Sequence, residues 1–368
     1  ACKERLYGTL QQVPCAWVDS EEALQTLADK LKSVKEFAVD LEHHSYRSYL
    51  GFTCLMQVST RTEDFLVDTI ELRDSLHILN SSFTDPSIVK VLHGADMDVL
   101  WLQRDFGLYL VNLFDTGQCA RVLEFPSFGL AYLLKQFCDV TADKKYQLAD
   151  WRIRPLPSEM LLYAREDTHY LLYIYDRLRN LLVESSEAKR ADVFPPKQTQ
   201  LAGEAGLSLV PCLVHQVLAR SQSVALRVFD MPPPAGGAAD AEVALMCSKF
   251  NLVFTEAQMR ALKGLLEWRD RTARDNDESL VYVMPNHTMT ALATTMPLDS
   301  QQLLAACKPI PALVRKHVQD LLKLLLAARH TPESPVIAAA GSGGGGGGLP
   351  QPPLTVLGAT SHTTTTTN

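Results

Sequence analysis

Short apolar runs alternate with helix-like stretches along roughly the first half of the chain. Compact or alternating apolar patterns predict strands at residues 37–42, 53–59, 64–68 and 89–93. Apolar positions at helical spacing predict one helix that begins after Ser20 and others at residues 98–106, 129–137 and 158–182. Neighbouring strands followed mainly by helices are typical of a mixed sheet flanked by helices, so the pattern predicts an α/β domain.

The rest of the chain separates by composition. With residues 1–185 assigned to the α/β domain, clustered prolines and a Gly-Gly-Ala-Ala run over residues 186–248 predict a linker. The apolar stretch 207–218 within this linker is suited to dock as a helix. Regularly spaced leucines over residues 249–330 predict a small helical bundle. Residues 331–368 contain runs of glycine and threonine, which predict a disordered tail.

Composition narrows the class of protein. The chain has 368 residues, of which 46% are hydrophobic and 21% charged, and these values exclude a collagen-like, coiled-coil or wholly disordered chain. Its eight cysteines are dispersed without a Cys-x-x-Cys pair, which indicates reduced thiols of an intracellular protein and no structural zinc site. The sequence shows no secretion signal and no apolar run long enough to span a membrane. It therefore predicts a folded, soluble protein.

Charge is unevenly distributed along the chain. The formal net charge is −7, with −6 on residues 29–184 and +3 on residues 249–330. An acidic first domain repels a nucleic acid unless bound cations change the local sign of the charge. The charge pattern therefore favours a protein that binds divalent metal ions in its first domain.

The first candidate site is a pair of acidic residues in the strand predicted at residues 37–42. Asp40 and Glu42 lie two positions apart, so both carboxylates project from the same face of the strand. Two like charges repel one another, and a divalent cation is one explanation for placing them together. Solvated carboxylates on an edge strand are the other.

A second acidic pair lies where an apolar run ends at a glycine and a helix is predicted to begin. Asp96 suits a helix-capping role, whereas Asp98 lies in the first helical turn on the same side as Trp101 and Leu102. The spacing alone does not decide which aspartate would face a site.

A third candidate pair lies within the helical pattern at residues 158–182. Spacing of i, i+4 places the hydroxyl of Tyr163 beside the carboxylate of Asp167 on one helix face. Such a pair can serve catalysis, or it can be a hydrogen bond that serves packing.

Together, Asp40-x-Glu42, Asp98 and Tyr163-x-x-x-Asp167 resemble the three motifs of the DEDDy 3′→5′ exonucleases, a group of the ribonuclease D superfamily. Longer runs at residues 40–45, 93–105, 146–157 and 163–170 resemble, within this superfamily, the exoribonuclease subunits of eukaryotic nuclear RNA exosomes. Residues 266–279 and 282–287 resemble the HRDC-type helical domain shared by RecQ-type helicases and ribonuclease D. The resemblance covers roughly residues 1–329.

The resemblance implies a ribonuclease H-like mixed sheet flanked by helices, followed by a small all-α domain. It implies a hydrolase that removes nucleoside 5′-monophosphates from the 3′ end of single-stranded RNA by a two-metal-ion mechanism. Tyr163 would orient the attacking water, and Asp98 rather than Asp96 would be a metal ligand. The implied ligands of two Mg²⁺ or Mn²⁺ ions are Asp40, Glu42, Asp98 and Asp167.

The resemblance also implies that His43, Trp101 and Lys144 line a pocket for the terminal nucleotide. Trp101 would offer a face for stacking, Lys144 a counter-charge for phosphate, and His43 a hydrogen-bond donor beside the carboxylates. From the residues alone, a core tryptophan and a solvated loop lysine remain alternatives.

The implied partners are RNA 3′ ends and the nuclear exosome, with no membrane and no cofactor besides metal. The implied roles are RNA decay and ribosomal RNA processing in the nucleus, specifically the nucleolus. Two other functions remain open, a non-catalytic subunit that tethers RNA or partners and a DNA-directed 3′→5′ exonuclease. The sequence lacks the phosphate-binding loop of a helicase, with which the second is usually paired.

Three arginines form a basic set in the predicted helical bundle. Arg269, Arg271 and Arg274 are spaced to contact nucleic acid, but a solvated helix face and packing against another domain are equally open.

Overall fold

The structure is a computed structural model that describes residues 2–193, 212–235 and 239–330, without the side chains of residues 188–193 and 239. Residues 207–211 of the apolar linker stretch and the predicted tail at 331–368 lie outside the described residues. Within the described ranges, no helix combines the length and the hydropathy that a membrane span requires.

A six-stranded mixed sheet forms the centre of the first domain. Its strand order is β1-β4-β3-β2-β5-β6, with β3 antiparallel to both of its neighbours and the other pairs parallel. The four predicted strands are present as β2 to β5, and the sheet adds short strands at both edges. The strands are β1 (Cys15–Val18), β2 (Glu36–His44), β3 (Phe52–Ser59), β4 (Asp64–Asp68), β5 (Val89–Leu92) and β6 (Leu113–Asp115).

Helices cover both faces of this sheet. The long helix predicted at residues 158–182 is two helices, because the first ends at His169 and Tyr170 separates it from the next. The helices are α1 (Glu21–Lys32), α2 (Asn80–Phe83), α3 (Asp98–Phe106), α4 (Thr116–Val122), α5 (Leu130–Cys138), α6 (Ser158–His169), α7 (Leu171–Val193) and α8 (Leu213–Ala225).

Alternation along β2 determines which side chains enter which core. Val39 and Leu41 pack with the apolar face of α1 in one cluster, whereas Ala38 packs with α7 and α8 in the cluster on the opposite side of the sheet. Asp40 and Glu42 continue the face of Ala38, since side chains two apart in a strand share a face. In the predicted linker, α8 docks on this second face through Leu213 and Val217, which are both buried there.

The second domain is all-helical and has its own core. Its longest helix begins at a capping box in which Thr255 and Gln258 bond each other's backbone, and Leu262, Leu265 and Leu266 of this helix are buried. Its helices are α9 (Ala239–Lys249), α10 (Glu256–Asn276), α11 (Leu280–Val283), α12 (Asn286–Thr295), α13 (Ser300–Ala306), α14 (Ala312–Lys316) and α15 (Val318–His330).

Candidate active site

Three carboxylates from two elements converge on one side of the sheet. Asp40 and Glu42 project from β2, and α6 crosses this face and contributes Asp167. Each residue offers a carboxylate oxygen, and these ligand atoms all lie within 4.8 Å of one another. The predicted strand pair and the predicted helix residue are therefore brought together by the packing of α6 on β2.

Asp98 lies beside this cluster at the first residue of α3. Burial, and after it the charge of Asp40, raise the pKa of Asp98 well above its usual value, so the two carboxylates interact electrostatically. Its ligand atoms are not among those that meet within 4.8 Å. Asp96 instead faces solvent and forms an ion pair with Arg227 at 2.8 Å, consistent with a surface role.

The turn that presents Asp98 is fixed by a residue that sequence reasoning missed. The fully buried carboxylate of Asp115 accepts hydrogen bonds from the backbone N–H groups of Gly94 and Ala95, both at 2.9 Å, and of Gly117 at 2.8 Å. Asp115 is also the N-cap of α4. An aspartate that ends an apolar run before Thr-Gly is a capping signal, but its bonds to the neighbouring turn depend on the pairing of β5 with β6.

The electrostatic environment of the carboxylates of Asp40, Glu42 and Asp167 favours the binding of a cation. Burial raises the pKa of Asp40 to about 7, and burial together with the charges of Asp40 and Asp167 raises the pKa of Glu42 to about 10. The pKa of Asp167 is raised as well, first by burial and then by Asp40. Among the described residues, no lysine, arginine or histidine forms a salt bridge with these carboxylates. Glu42 is buried and Asp40 and Asp167 are partly buried, and a group of such oxygen ligands without a counter-charge suits a hard divalent cation.

One amide supports the cluster from the next strand. Gln57 lies opposite Asp40 in the β2–β3 register, and its side-chain N–H groups point to Glu42, with 3.4 Å between Gln57 Nε2 and Glu42 Oε1. Gln57 is completely buried, and its Oε1 has no hydrogen-bond partner. A buried acceptor without a partner is costly, so a polar ligand of the site would satisfy it.

Tyr163 lies one helical turn before Asp167, as the spacing predicts. Its ring is flanked by those of Tyr146 and Trp151, each with its centroid 5.9 Å away. Burial, and after it the charges of Asp167 and Glu42, raise the pKa of the phenol, so the hydroxyl keeps its proton at neutral pH. Tyr163 therefore presents a hydroxyl, not a phenolate, to the carboxylates.

His43 and Trp101 form one stacked unit next to the carboxylates. Their ring planes differ by 6° and their centroids are 4.1 Å apart. A register shift between Glu42 and His43 turns the histidine away from the regular alternation of β2. Gly51, at φ +67°, leaves the space that the His43 ring occupies, since a Cβ at Gly51 would lie 2.1 Å from Cε1 of His43. No local pattern in the sequence predicts this bulge.

Lys144 lies on the segment between α5 and α6, and its side chain is exposed. Within the described residues it forms no ion pair. Next to it, the ammonium of Lys145 lies 4.8 Å from the centroid of the Tyr146 ring, and Tyr146 contacts Tyr163. The structure thus does not bring Lys144 into contact with His43 or Trp101, and its role in a nucleotide pocket stays a prediction.

The loop that follows β2 is held by the helical domain. Arg47 forms a bidentate ion pair with Glu278, at 2.6 Å for the shortest contact, and its guanidinium lies over the ring of Tyr282. The backbone N–H of Tyr49 donates to Asp277 at 2.9 Å. The helical domain therefore supports the chain segment that leaves β2.

Two of the three arginines in the predicted basic set are used inside the protein. Arg269 is buried and donates to the carbonyl of Met284 and the side chain of Asn286. Arg274 pairs with Asp270 at 2.9 Å and also donates to the carbonyl groups of two linker prolines. Of the alternatives for this set, nucleic-acid contact is excluded for Arg269, because its guanidinium is buried and bonded within the helical domain. Arg271 is exposed.

Comparison with known proteins identifies both domains. Residues 15–183 match a family model described as 3′-5′ exonuclease, and residues 258–325 match the model of the HRDC domain. An exonuclease domain of this type, with this acidic cluster, uses divalent metal ions.

Curated relatives agree with this assignment. Exosome complex component 10 of Homo sapiens is 47% identical over 328 residues, which are 89% of this chain and 34% of that protein. The exosome complex exonuclease RRP6 of Saccharomyces cerevisiae is 43% identical over 319 residues, which are 84% of this chain and 40% of that protein. The chain thus spans between a third and two fifths of these two relatives.

A solved structure resembles nearly the whole of the described chain. The catalytic core of RRP6 from Trypanosoma brucei is 37% identical and aligns with a TM-score of 0.77, covering 89% of this chain and 83% of that one. Both the sequence and the order of the two domains therefore agree, and the chain belongs to the RRP6 family, in which a 3′-5′ exonuclease domain is followed by an HRDC domain.

Proposed function

We propose that this chain is a 3′→5′ exoribonuclease that hydrolyses single-stranded RNA from its 3′ end and releases nucleoside 5′-monophosphates. The observation that carries the proposal is the cluster of Asp40, Glu42 and Asp167, with Asp98 and Tyr163 beside it, in a fold that matches an RRP6 catalytic core. The relative named exosome complex exonuclease RRP6 supports the same activity.

The cofactor in this proposal is a pair of Mg²⁺ or Mn²⁺ ions held by Asp40, Glu42, Asp98 and Asp167. Such ions, when bound, supply an activated water and neutralise charge at the scissile phosphate. The four side chains hold the hard oxygen ligands that these ions prefer, on a rigid strand and at two helix positions. Their raised pKa values indicate that the chain itself does not neutralise them.

Tyr163 orients the attacking water in this mechanism. A phenol whose pKa is raised above its usual value of about 10 is a poor base at neutral pH, but its hydroxyl both donates and accepts hydrogen bonds. The rings of Tyr146, edge-on, and of Trp151, tilted, pack against the Tyr163 ring and hold the hydroxyl in place. Proton removal from the water is thus not assigned to this side chain.

The terminal nucleotide is proposed to bind at the stacked pair of His43 and Trp101. Aromatic faces bind bases without regard to their sequence, as an exonuclease that removes successive different nucleotides requires. Lys144, exposed on its loop, is proposed to contact a phosphate.

The relatives named as exosome components suggest the setting of this activity. We propose that the protein associates with the nuclear exosome and acts in ribosomal RNA processing and RNA decay, in the nucleus and its nucleolus. Affinity purification of the full-length protein from its own cells, with imaging of the tagged protein, tests both statements. Absence of exosome subunits from the eluate, or a cytoplasmic signal, would contradict them.

The activity is tested with single-stranded RNA labelled at its 5′ end, incubated with the protein and Mg²⁺ or EDTA. A ladder that shortens from the 3′ end only with Mg²⁺ is the expected result. RNA that is bound but stays intact would favour the tethering subunit instead. Matched single-stranded DNA that is shortened faster than the RNA would favour the DNA-directed exonuclease.

A further inference from the structure

One basic side chain next to the proposed nucleotide pocket has no part in the mechanism above. Arg104 lies on α3, one turn after Trp101, and its side chain is only 11% exposed. Its guanidinium donates from Nε and Nη2 to the two carboxylate oxygens of Asp105, at 2.8 and 2.9 Å. Nη1 donates to the backbone carbonyl of Leu50 at 2.7 Å.

The carboxylate of Asp105, which accepts two of these hydrogen bonds, is itself held in place by other donors. Asp105 also accepts from the backbone N–H and the hydroxyl of Thr53, at 2.8 and 2.9 Å, and from Arg73 at 3.2 Å. Asp105 therefore joins α3 to the start of β3, and Arg104 joins α3 to the loop before that strand. Because a planar guanidinium donates in fixed directions, this set of acceptors determines its orientation.

A further N–H of Arg104 is directed at His43. The distance from Nη2 to Nε2 of the imidazole is 3.2 Å. An arginine donates only, so Nε2 must accept, and the neutral ring then carries its proton on Nδ1. The same ring is stacked on Trp101. Arg104 thus determines both the plane of the imidazole and which of its nitrogens is left as a donor.

The linker excludes Arg104 from direct contact with RNA. The ring of Phe229 lies 5.7 Å from the guanidinium carbon, and the backbone of Phe229 and Arg227 is bonded to both ends of the Gln103 side chain, at 3.1 and 2.7 Å. Four of the five N–H groups of the guanidinium are already used. A phosphate would have to displace these partners.

We propose that Arg104 is a positioning residue for the terminal nucleotide: it holds His43 flat against Trp101 so that the stacked pair and the Nδ1–H group face the substrate. The proposal rests on the proposed function, because it assigns the binding of the 3′-terminal nucleotide to this pair. Arg104 then acts only through His43.

The test uses two variants of Arg104. Arg104→Met removes the guanidinium and all its hydrogen bonds, whereas Arg104→Gln has a shorter amide that can bond Asp105 but does not reach His43. Arg73→Met is the matched control, since it removes another partner of Asp105 without touching His43. Steady-state hydrolysis of single-stranded RNA in Mg²⁺ gives kcat and KM, and thermal melting reports folding. We expect both Arg104 variants to raise KM about tenfold with kcat within about twofold, and Arg73→Met to leave both unchanged.

His43→Ala and its combination with Arg104→Gln complete a double-mutant cycle. If Arg104 acts through His43, adding Arg104→Gln to His43→Ala changes KM no further. Additive effects, or Arg104 variants that match Arg73→Met while His43→Ala raises KM, would overturn the inference. A wild-type protein that does not shorten RNA would instead contradict the proposed function. Arg104→Gln, which retains a bond to Asp105, keeps the test decisive if Arg104→Met does not fold.

Discussion

The hydroxyl of Tyr49, in the loop that follows β2, donates a hydrogen bond of 2.8 Å to the carboxylate of Asp270 in the HRDC domain. The guanidinium of Arg274 lies over the same tyrosine ring and pairs with the same carboxylate. The contact joins the two domains directly. It places the helical domain against the segment that connects Glu42 and His43 to the rest of the sheet.

Removal of this hydroxyl is expected to loosen the domain contact. In Tyr49→Phe the buried Asp270 loses one of its donors but keeps Arg274 and the backbone N–H of Ala235, so the free energy of unfolding should fall by about 1 kcal/mol. Chemical denaturation measures it. Tyr46→Phe is the control, because Tyr46 is 56% exposed and contacts the helical domain through its ring. Equal stability of the two variants would show that the hydroxyl does not stabilise the contact.

Loss of one carboxylate is expected to stop hydrolysis without preventing RNA binding. Asp98→Asn removes a charge at the start of α3 while keeping the shape of the side chain, so kcat should fall by roughly three orders of magnitude. Single-turnover cleavage and RNA binding in EDTA measure the two effects separately. Asp96→Asn, which changes the surface partner of Arg227, is the control. Normal cleavage by Asp98→Asn would exclude it from the metal site.

Tyr163→Phe is expected to be a milder variant than Asp98→Asn. The ring stays packed between Tyr146 and Trp151, and only the hydroxyl that orients water is lost, so kcat should fall roughly 10- to 100-fold. The measurement is kcat at saturating Mg²⁺, with Tyr109→Phe as an exposed control. A loss as complete as that of Asp98→Asn would give the phenol a larger role than orientation.

Gln57→Leu is expected to weaken metal binding. The change removes the side-chain N–H groups that face Glu42 and leaves a completely buried position of similar volume, so Mn²⁺ affinity should fall about tenfold. Isothermal titration with Mn²⁺ measures it without any need for RNA. Ser59→Ala, in the same strand, removes a hydroxyl that bonds Asp64 and Thr168 instead. If both variants bind Mn²⁺ like the wild type, Gln57 does not orient Glu42 for the metal.

Stability without metal is expected to depend on pH. The native pKa values of Asp40, about 7, and Glu42, about 10, lie above those of the unfolded chain, near 4. The native state therefore binds more protons, and its stability falls as pH rises from about 4 through 7 and, for Glu42, toward 10. Metal ions replace these protons, so their stabilising effect increases with pH.

Thermal melting at pH 6 and pH 8, each in EDTA and in Mn²⁺, checks this expectation. The melting temperature in EDTA should be lower at pH 8, and the increase caused by Mn²⁺ should be larger there. The double variant Asp40→Asn, Glu42→Gln should lose much of both effects, because neither side chain titrates. An equal pH dependence in wild type and variant would place its cause elsewhere.

Local patterns predicted the residues of the cluster because each pattern needs only one element. The alternation of β2 places Asp40 and Glu42 on one face, and the helical repeat places Tyr163 with Asp167. The resemblance to a known family, rather than spacing, selected Asp98 over Asp96. The approach of α6 to β2, which makes one site of these motifs, depends on packing between distant parts of the chain.

Other features depend on long-range contacts that no local pattern contains. The bulge before His43 requires the pairing of β2 with β3, and the space for its ring requires Gly51. Arg269 and Arg274 have the spacing of a solvated basic face, but their partners come from α12, the linker and the same helix. Charge and spacing alone do not distinguish such arginines from those that bind nucleic acid.

The four carboxylates are expected to form a site that removes the 3′-terminal nucleotide. The most direct measurement is a single-turnover reaction in Mg²⁺ with RNA labelled at the terminal 3′ phosphodiester, comparing the wild type with Asp167→Asn. We expect the wild type to release labelled nucleoside 5′-monophosphate as its first product, and the variant to bind the RNA but release none. Labelled oligonucleotides as first products, or equal release by the variant, would contradict it.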